Sequence, residues 1–366
     1  MNSFLEQDYD LIKNSECIDW EKLENTSFLI TGATGLVGSM VVKSLLKCHK
    51  NITVYAFVRS LEKAKSIFKE EIDNSQLKFV VGDITDSFEI ENKIDYIIHG
   101  ASVTASKYMV SNPVETLMIA IKGTTNVLEF AKAKNVRSMV YMSSMEVFGS
   151  TDPKKNRINE KDLGYIDILN PRSSYSEGKR ICECICAAYF SQYGIPVKIA
   201  RLAQTFGAGV PDSDTRVFAQ FAKSAINGED IVLHTKGESV GNYCYTADVV
   251  TALLCLLTRG ESSEAYTVVN EETTMCIKDM AQLVATEISG GRSQVVFNIP
   301  ENSASLGYAP DVTMHLSSEK LRNLGWKPTY GLRELYERMI SDWQKKILKG
   351  FELPRFSENI VLKISV

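Results

Sequence analysis

The chain has 366 residues, 44% of them hydrophobic and 23% charged, with a formal net charge of −4. Such values belong to a folded globular protein, long enough for one large α/β domain or two smaller ones. They exclude extensive disorder, the basic footprint of a nucleic-acid binder and, with no apolar run near ~18–20 residues, a membrane-spanning helix.

The opening stretch MNSFLEQDYDLIKNSE is acidic and polar and does not read as a secretory signal, so a cytoplasmic location is expected. Residues 1–26 read as a helical extension, with Trp20 and Leu23 placed to pack on the domain beyond it. SFLIT (27–31) is a buried strand, followed by the glycine-rich turn GATGLVG and an apolar helix from about Leu36 to Cys48. ITVYAFV (52–58), LKFVV (77–81) and DYIIHG (95–100) are the next three strands. A helical pattern runs from about Pro113 to Ala133, with proline where its missing N–H costs nothing. VRSMVYMSS (136–144) is a fifth strand, a helix opens around Tyr175, and PVKIARL (196–202) is a sixth strand.

This alternation predicts an α/β fold: a Rossmann-type, doubly wound parallel sheet over residues 27–205 that carries the catalytic residues. A smaller C-terminal substrate-binding lobe is expected over 206–345, free to return strands to the sheet. The tail, 346–366, has no legible chemistry. Open sheets of this kind bind ligands beyond the carboxyl ends of their strands.

Eight cysteines and four histidines form no metal site in this reading. Cys182, Cys184 and Cys186 alternate around a helix, with Cys184 turned away from the other two, and no CxxC or nearby histidine completes a ligand set. Buried, reduced cysteines are expected.

Gly32, Gly35 and Gly38 form GxxGxxG between a strand and a helix. That context suits a dinucleotide, with a tight turn, close approach to a pyrophosphate and free N–H groups at the helix start. Thr34, Leu36 and Val37 lie in the same loop and first helical turn. At the end of the second strand an acidic residue would accept the ribose 2′-hydroxyl, whereas arginine accommodates a 2′-phosphate. Arg59 holds that place, with Lys63 a turn later, which favours NADP(H) and leaves NAD(H) as the alternative.

Tyr175 precedes Lys179 by one helical turn in RSSYSEGKR. A phenol with a pKa near 10 becomes a base near neutrality when a close ammonium and a cationic nicotinamide stabilise the phenolate. Ser174 and Glu177 have capping-box spacing, which would start the helix and hold the pair. Lys179 is also placed to hold the nicotinamide ribose.

Together these segments resemble the extended short-chain dehydrogenase/reductase family, over roughly residues 27–340. The matching motifs are TGATGLVGS (31–39), GDI (82–84), HGAS (99–102), SSMEVFG (143–149), YSEGK and LGWKP (324–328). YMVSNPVETL and NPRSSYSEGKR look most like UDP-glucuronate decarboxylases and their dehydratase relatives. The resemblance implies Ser144 as catalytic hydroxyl beside Tyr175 and Lys179, with Glu146 as a second acid or base or as a structural acceptor. It further implies Asp83, Ile84, Ala101 and Ser102 as cofactor contacts. Thr104, Tyr108, Gln204 and Arg216 would contact a nucleotide-sugar substrate. A homodimer through the helices near 113–133 and 175–192 is implied too, with Ile181, Ile185 and Tyr189 in its stripe, as is a role in polysaccharide synthesis.

Several positions depart from the family pattern. Met145 stands where dehydratases carry an aspartate, which disfavours 4,6-dehydration. Ala120 and Gln204 replace asparagines, and Gly241 replaces a diphosphate-clamping arginine, a task left to Arg216. The implied activity is NAD(P)-dependent oxidoreduction of a nucleotide-activated sugar within one turnover. The alternatives are an NADPH-dependent reductase of a nucleotide-linked keto sugar and a non-catalytic cofactor-binding regulator.

Overall fold

The computed structural model describes residues 3–299 and 313–351. Its strands, in chain order, are β1 (Ser27–Thr31), β2 (Thr53–Val58), β3 (Leu77–Val81), β4 (Tyr96–His99), β5 (Ser138–Ser144), β6 (Val197–Leu202), β7 (Gln204–Phe206), β8 (Ile231–Leu233), β9 (Val240–Tyr245), β10 (Ala265–Val268), β11 (Asn270–Cys276) and β12 (Val295–Phe297). Seven of them form one parallel sheet, ordered β10-β6-β5-β4-β1-β2-β3. The order reverses between β1 and β4, and a ligand crevice opens beyond the carboxyl ends of strands at such a switch point.

The strands form where short apolar runs can be covered on both faces, as parallel sheets require. In β1 only Ser27 is less than fully buried, and all four residues of β4 are buried. The Pro113–Lys134 helix starts on its proline and stops at Asn135, whose φ of 48° is left-handed. It packs along the Ser174–Tyr193 helix, with Gly178 facing Ala120 at ordinary contact distance.

Six strands were expected in the main sheet and seven are present. After the lobe begins, the chain returns through the Thr246–Arg259 helix, buried from Thr246 to Thr258, and adds β10 beside β6. The lobe's remaining strands form a β11-β9-β7 sheet and a β12-β8 pair. The N-terminal extension is built into the core, with Ile12 and Leu23 wholly buried. Arg338 of the Leu332–Phe351 helix donates to Asp8 at 2.6 Å, and Tyr245 donates to the same carboxylate at 2.7 Å. The LGWKP tryptophan, Trp326, is buried and donates to the Asp248 carbonyl at 3.0 Å. The expected tail, 346–366, begins inside that last helix, and residues 352–366 lie outside the described ones.

The capping box expected at Ser174 and Glu177 does not form. A 3-10 turn, Pro171–Ser173, precedes the helix and is capped by Asn170 accepting from the Arg172 N–H at 3.0 Å. Ser174 is already helical, with its hydroxyl buried and unpartnered. Cys182 and Cys186 are buried and Cys184 is exposed. Among the described residues no group of three or more His, Cys, Asp or Glu side chains is placed to hold a metal ion, and no helix is long and apolar enough to cross a membrane.

Candidate active site

The glycine turn leaves β1 at the switch point. Gly32 has φ +69°, and a Cβ there would stand 2.6 Å from the Gly100 carbonyl oxygen after β4. At Gly38 a Cβ would meet the Gly32 oxygen at 2.2 Å, so the Leu36–Lys47 helix docks against the turn only with glycine there. Gly35 is the N-cap and supplies no side chain to the helix. The first-turn N–H groups are therefore left for an anion arriving at the exposed Gly35. Thr34 and Leu36 are partly buried and Val37 is buried.

Thr31 ties the neighbouring loop down. Its hydroxyl accepts from the Gly100 and Ala101 N–H groups, both at 3.2 Å, and pairs with His99 Nδ1 at 2.7 Å. His99 Nε2 meets Thr124 at 3.2 Å, and burial pushes the ring down to about 3, so it is neutral. Ala101 and Ser102 thus line the turn from the β4 side. On the β2–β3 side Asp83 accepts from the Thr85 N–H and hydroxyl at 2.9 and 2.7 Å, which hold its carboxyl below its ordinary value. Exposed Arg59 lies near enough to add to that effect. Ile84 is buried against Gly123, where a Cβ would touch it at 3.0 Å.

The end of β5 is fastened to the Ser174–Tyr193 helix through two consecutive residues, Met142 and Ser143. Lys179 Nζ donates to the Met142 carbonyl at 2.7 Å. Ser143 donates to Glu183 at 2.6 Å, and Glu183 is in turn paired with Arg201 at 2.7 Å. Ser144 accepts from the Glu146 N–H at 3.2 Å, and its hydroxyl is near enough to the Tyr175 phenol to oppose the rise of its pKa. Ser144, Tyr175 and Lys179 therefore converge at the carboxyl edge of the sheet, with the Lys179 ammonium 5.8 Å from the Tyr175 ring centre.

Burial pushes Tyr175 up to about 12; Glu146 adds to the rise, and Ser144, Arg172 and Arg216 oppose it. Burial also lowers Lys179 to about 8. Glu146 accepts from Arg172 and from the Ser176 hydroxyl, each at 3.0 Å. Arg216 is gripped by Asp214 through Nη2 at 2.6 Å and reaches the Thr205 carbonyl at 3.5 Å.

Gln204 opens β7 with its side chain exposed, two residues beyond the end of β6. Tyr108 and Thr104 are exposed, and the short Ser106–Ser111 helix carrying Tyr108 packs on the Pro171–Ser173 turn. Gly241 is buried with Tyr243 folded over it, and a Cβ there would stand 2.3 Å from the Tyr243 hydroxyl. An arginine would have to displace that ring. Arg172 was not foreseen, because no spacing in the sequence announces its ion pair with Glu146, while Asp214 was missed although it stands only two residues before its partner Arg216.

The parallel sheet, its switch point and the glycine turn define a Rossmann-type α/β protein. The chain belongs to the NAD dependent epimerase/dehydratase family, whose description matches residues 28–270. It is 30% identical over 319 residues to UDP-glucuronic acid decarboxylase 1 of Danio rerio, covering 87% of this chain and 73% of that one. UDP-glucose 4-epimerase of Thermotoga maritima, solved with UDP-glucose, shares the fold with a TM-score of 0.74, 21% identity, and coverage of 88% and 100%. A dTDP-glucose 4,6-dehydratase of Streptomyces venezuelae, solved with NAD bound, gives a TM-score of 0.74, 20% identity, and coverage of 89% and 98%.

Proposed function

We propose that the chain is a nicotinamide-dependent enzyme acting on a nucleotide-activated sugar, with Tyr175 as its proton carrier. The observation that carries this reading is the convergence of Ser144, Tyr175 and Lys179 at the same sheet edge as a closely packed glycine turn. Gly32, Gly35 and Gly38, with Thr34, Leu36 and Val37 around them, would hold the pyrophosphate. Asp83 and Ile84 would face the adenine side, Arg59 the adenosine ribose, and Ala101, Ser102 and Lys179 the nicotinamide ribose. When bound, the nicotinamide supplies a hydride acceptor and donor.

The chain's own part is orientation and proton movement. Ser144 orients the reacting sugar hydroxyl toward the Tyr175 oxygen, which takes its proton. Bringing a phenol from about 12 to near 7 requires about 7 kcal/mol of phenolate stabilisation. Lys179 beneath the ring and Arg216 and Arg172 beside it act in that direction, and Arg172 also offsets Glu146. Glu146, with both oxygens engaged, serves as an acceptor that holds Arg172 and Ser176. Arg216 takes the diphosphate-binding role closed to Gly241, with Gln204, Thr104 and Tyr108 bordering the nucleotide sugar.

NAD is the proposed cofactor. The family description and the NAD-bound neighbour lend no support to the NADP(H) preference read from Arg59. Redox-neutral turnover of a UDP-hexuronate or related nucleotide sugar is the reaction class that the decarboxylase relatives favour. Val114, Met118 and Ile181, exposed along the two paired helices, support a homodimer through that face.

The test is incubation of purified protein with UDP-glucuronate, UDP-glucose and dTDP-glucose, with products followed by mass spectrometry and cofactor by absorbance. Conversion without net cofactor loss, abolished in Tyr175→Phe, is expected. Stoichiometric NADPH consumption would replace this reading with the net reductase, and undiminished turnover in Tyr175→Phe would remove Tyr175 from the chemistry.

A further inference from the structure

The amino ends of β4, β5 and β6, at the edge of the sheet opposite the candidate active site, border a second polar cavity. Lys22, Tyr96, Arg137, Ser138, Lys198 and Thr258 line its volume of about 400 Å³. Lys198 lies at its floor, only 5% exposed. Its Nζ donates to Ser138 Oγ at 2.7 Å and to the Pro196 carbonyl at 3.2 Å, and among the described residues it has no carboxylate partner. Buried cations are ordinarily paired, because desolvation is costly without a counter-charge. Burial alone lowers this ammonium to about 8, with no opposing charge acting on it.

The surroundings leave an excess of positive charge. Lys22 pairs with Asp19 at 3.3 Å, while Arg137 and Lys93 share Asp95 at 3.0 and 2.6 Å. With Lys198, four cations stand against two carboxylates. Donors also remain. An ammonium has three and Lys198 uses two; a guanidinium has five, and Arg137 turns its Nε to Asp95 at 3.0 Å. Ser138 accepts from Lys198 and retains its own O–H to give.

We propose that this cavity binds a phosphate-type oxyanion, held by Lys198, Arg137 and the Ser138 hydroxyl. The anion supplies the counter-charge that the fold omits, and the volume admits either free phosphate or the phosphomonoester end of a small metabolite. The site is separate from the one at the carboxyl edge. In the β5–β6 register Lys198 pairs with Val140, and Leu202 with Ser144, four residues or about 13 Å further along.

The experiment is titration of the full-length protein with inorganic phosphate and with glycerol 3-phosphate, read by thermal shift and calorimetry. Wild type is compared with Lys198→Met and Arg137→Gln. A saturable rise in melting temperature is expected for wild type. Lys198→Met abolishes it while melting no lower than wild type without anion, since an uncompensated buried cation has been removed. Arg137→Gln weakens binding about tenfold. Tighter binding of glycerol 3-phosphate identifies a metabolite's phosphomonoester as the ligand, and equal binding identifies free phosphate; both support the site. No saturable response in wild type, or an equal response in Lys198→Met, overturns the proposal and places any bound phosphate elsewhere. If Lys198→Met fails to fold, exposed Arg137→Gln decides by the same criterion.

Discussion

Removing either partner of the buried Glu183–Arg201 pair should destabilise the protein far more than removing both. Both side chains are nearly closed to solvent and meet at 2.7 Å; Arg201 also donates to the Glu160 carbonyl at 2.7 Å and lies over the Phe148 ring at 5.1 Å. Arg201→Met leaves a buried carboxylate with only the Ser143 hydroxyl, and Glu183→Leu leaves a buried guanidinium with one carbonyl. Each single change should cost about 3–5 kcal/mol, the range for an orphaned buried charge. In the double variant no charge is stranded, and the remaining losses are the partners of the Ser143 hydroxyl and of the Glu160 carbonyl, together about 1–3 kcal/mol at roughly 0.5–1.5 kcal/mol per hydrogen bond. The double variant should therefore fall at least about 3 kcal/mol short of the sum of the singles. Urea unfolding followed by tryptophan fluorescence measures the cycle. Additive losses, or single variants within about 1 kcal/mol of wild type, would refute the claim that this pair fastens β6 to the helix behind it.

Four further outcomes rest on the same geometry. Gly32→Val should abolish nicotinamide dinucleotide binding in calorimetry, because its Cβ would enter the Gly100 carbonyl at a positive φ. Arg172→Gln frees the Glu146 charge beside Tyr175, so the rising limb of kcat/KM should move up by about one pH unit, with Glu146→Gln moving it down. His99 is held near 3 in the fold against about 6.5 unfolded, so the unfolded state binds the extra proton between those values. Stability contributed by this neutral ring is complete above about pH 6.5 and is lost toward pH 3; acid unfolding of His99→Asn should show a shallower dependence in that window. Comparing NADH and NADPH affinities in wild type and Arg59→Asp tests the cofactor assignment: tighter NADH binding by wild type supports NAD, and a strong NADPH preference lost in the variant restores the arginine reading.

The sequence by itself determined the parallel sheet, the position of the glycine turn, and the spacing of Tyr175 and Lys179. These come from local rules: apolar runs of strand length, glycine where backbone must approach backbone, and the ~3.6-residue helical turn. Tertiary structure decided what those residues touch. Ser174 is helical and uncapped because Asn170 starts a 3-10 turn ahead of it. Lys179 donates to the Met142 carbonyl because the strand end lies directly beneath its helix. β10 joins the sheet only after a buried helix carries the chain back, so six local strand signals became seven strands. Arg172, Arg201 and Lys198 acquire their roles from partners on other elements. Charge and hydrogen-bond pairing act through space, and residues distant along the chain become neighbours only when the sheet brings its strand ends together.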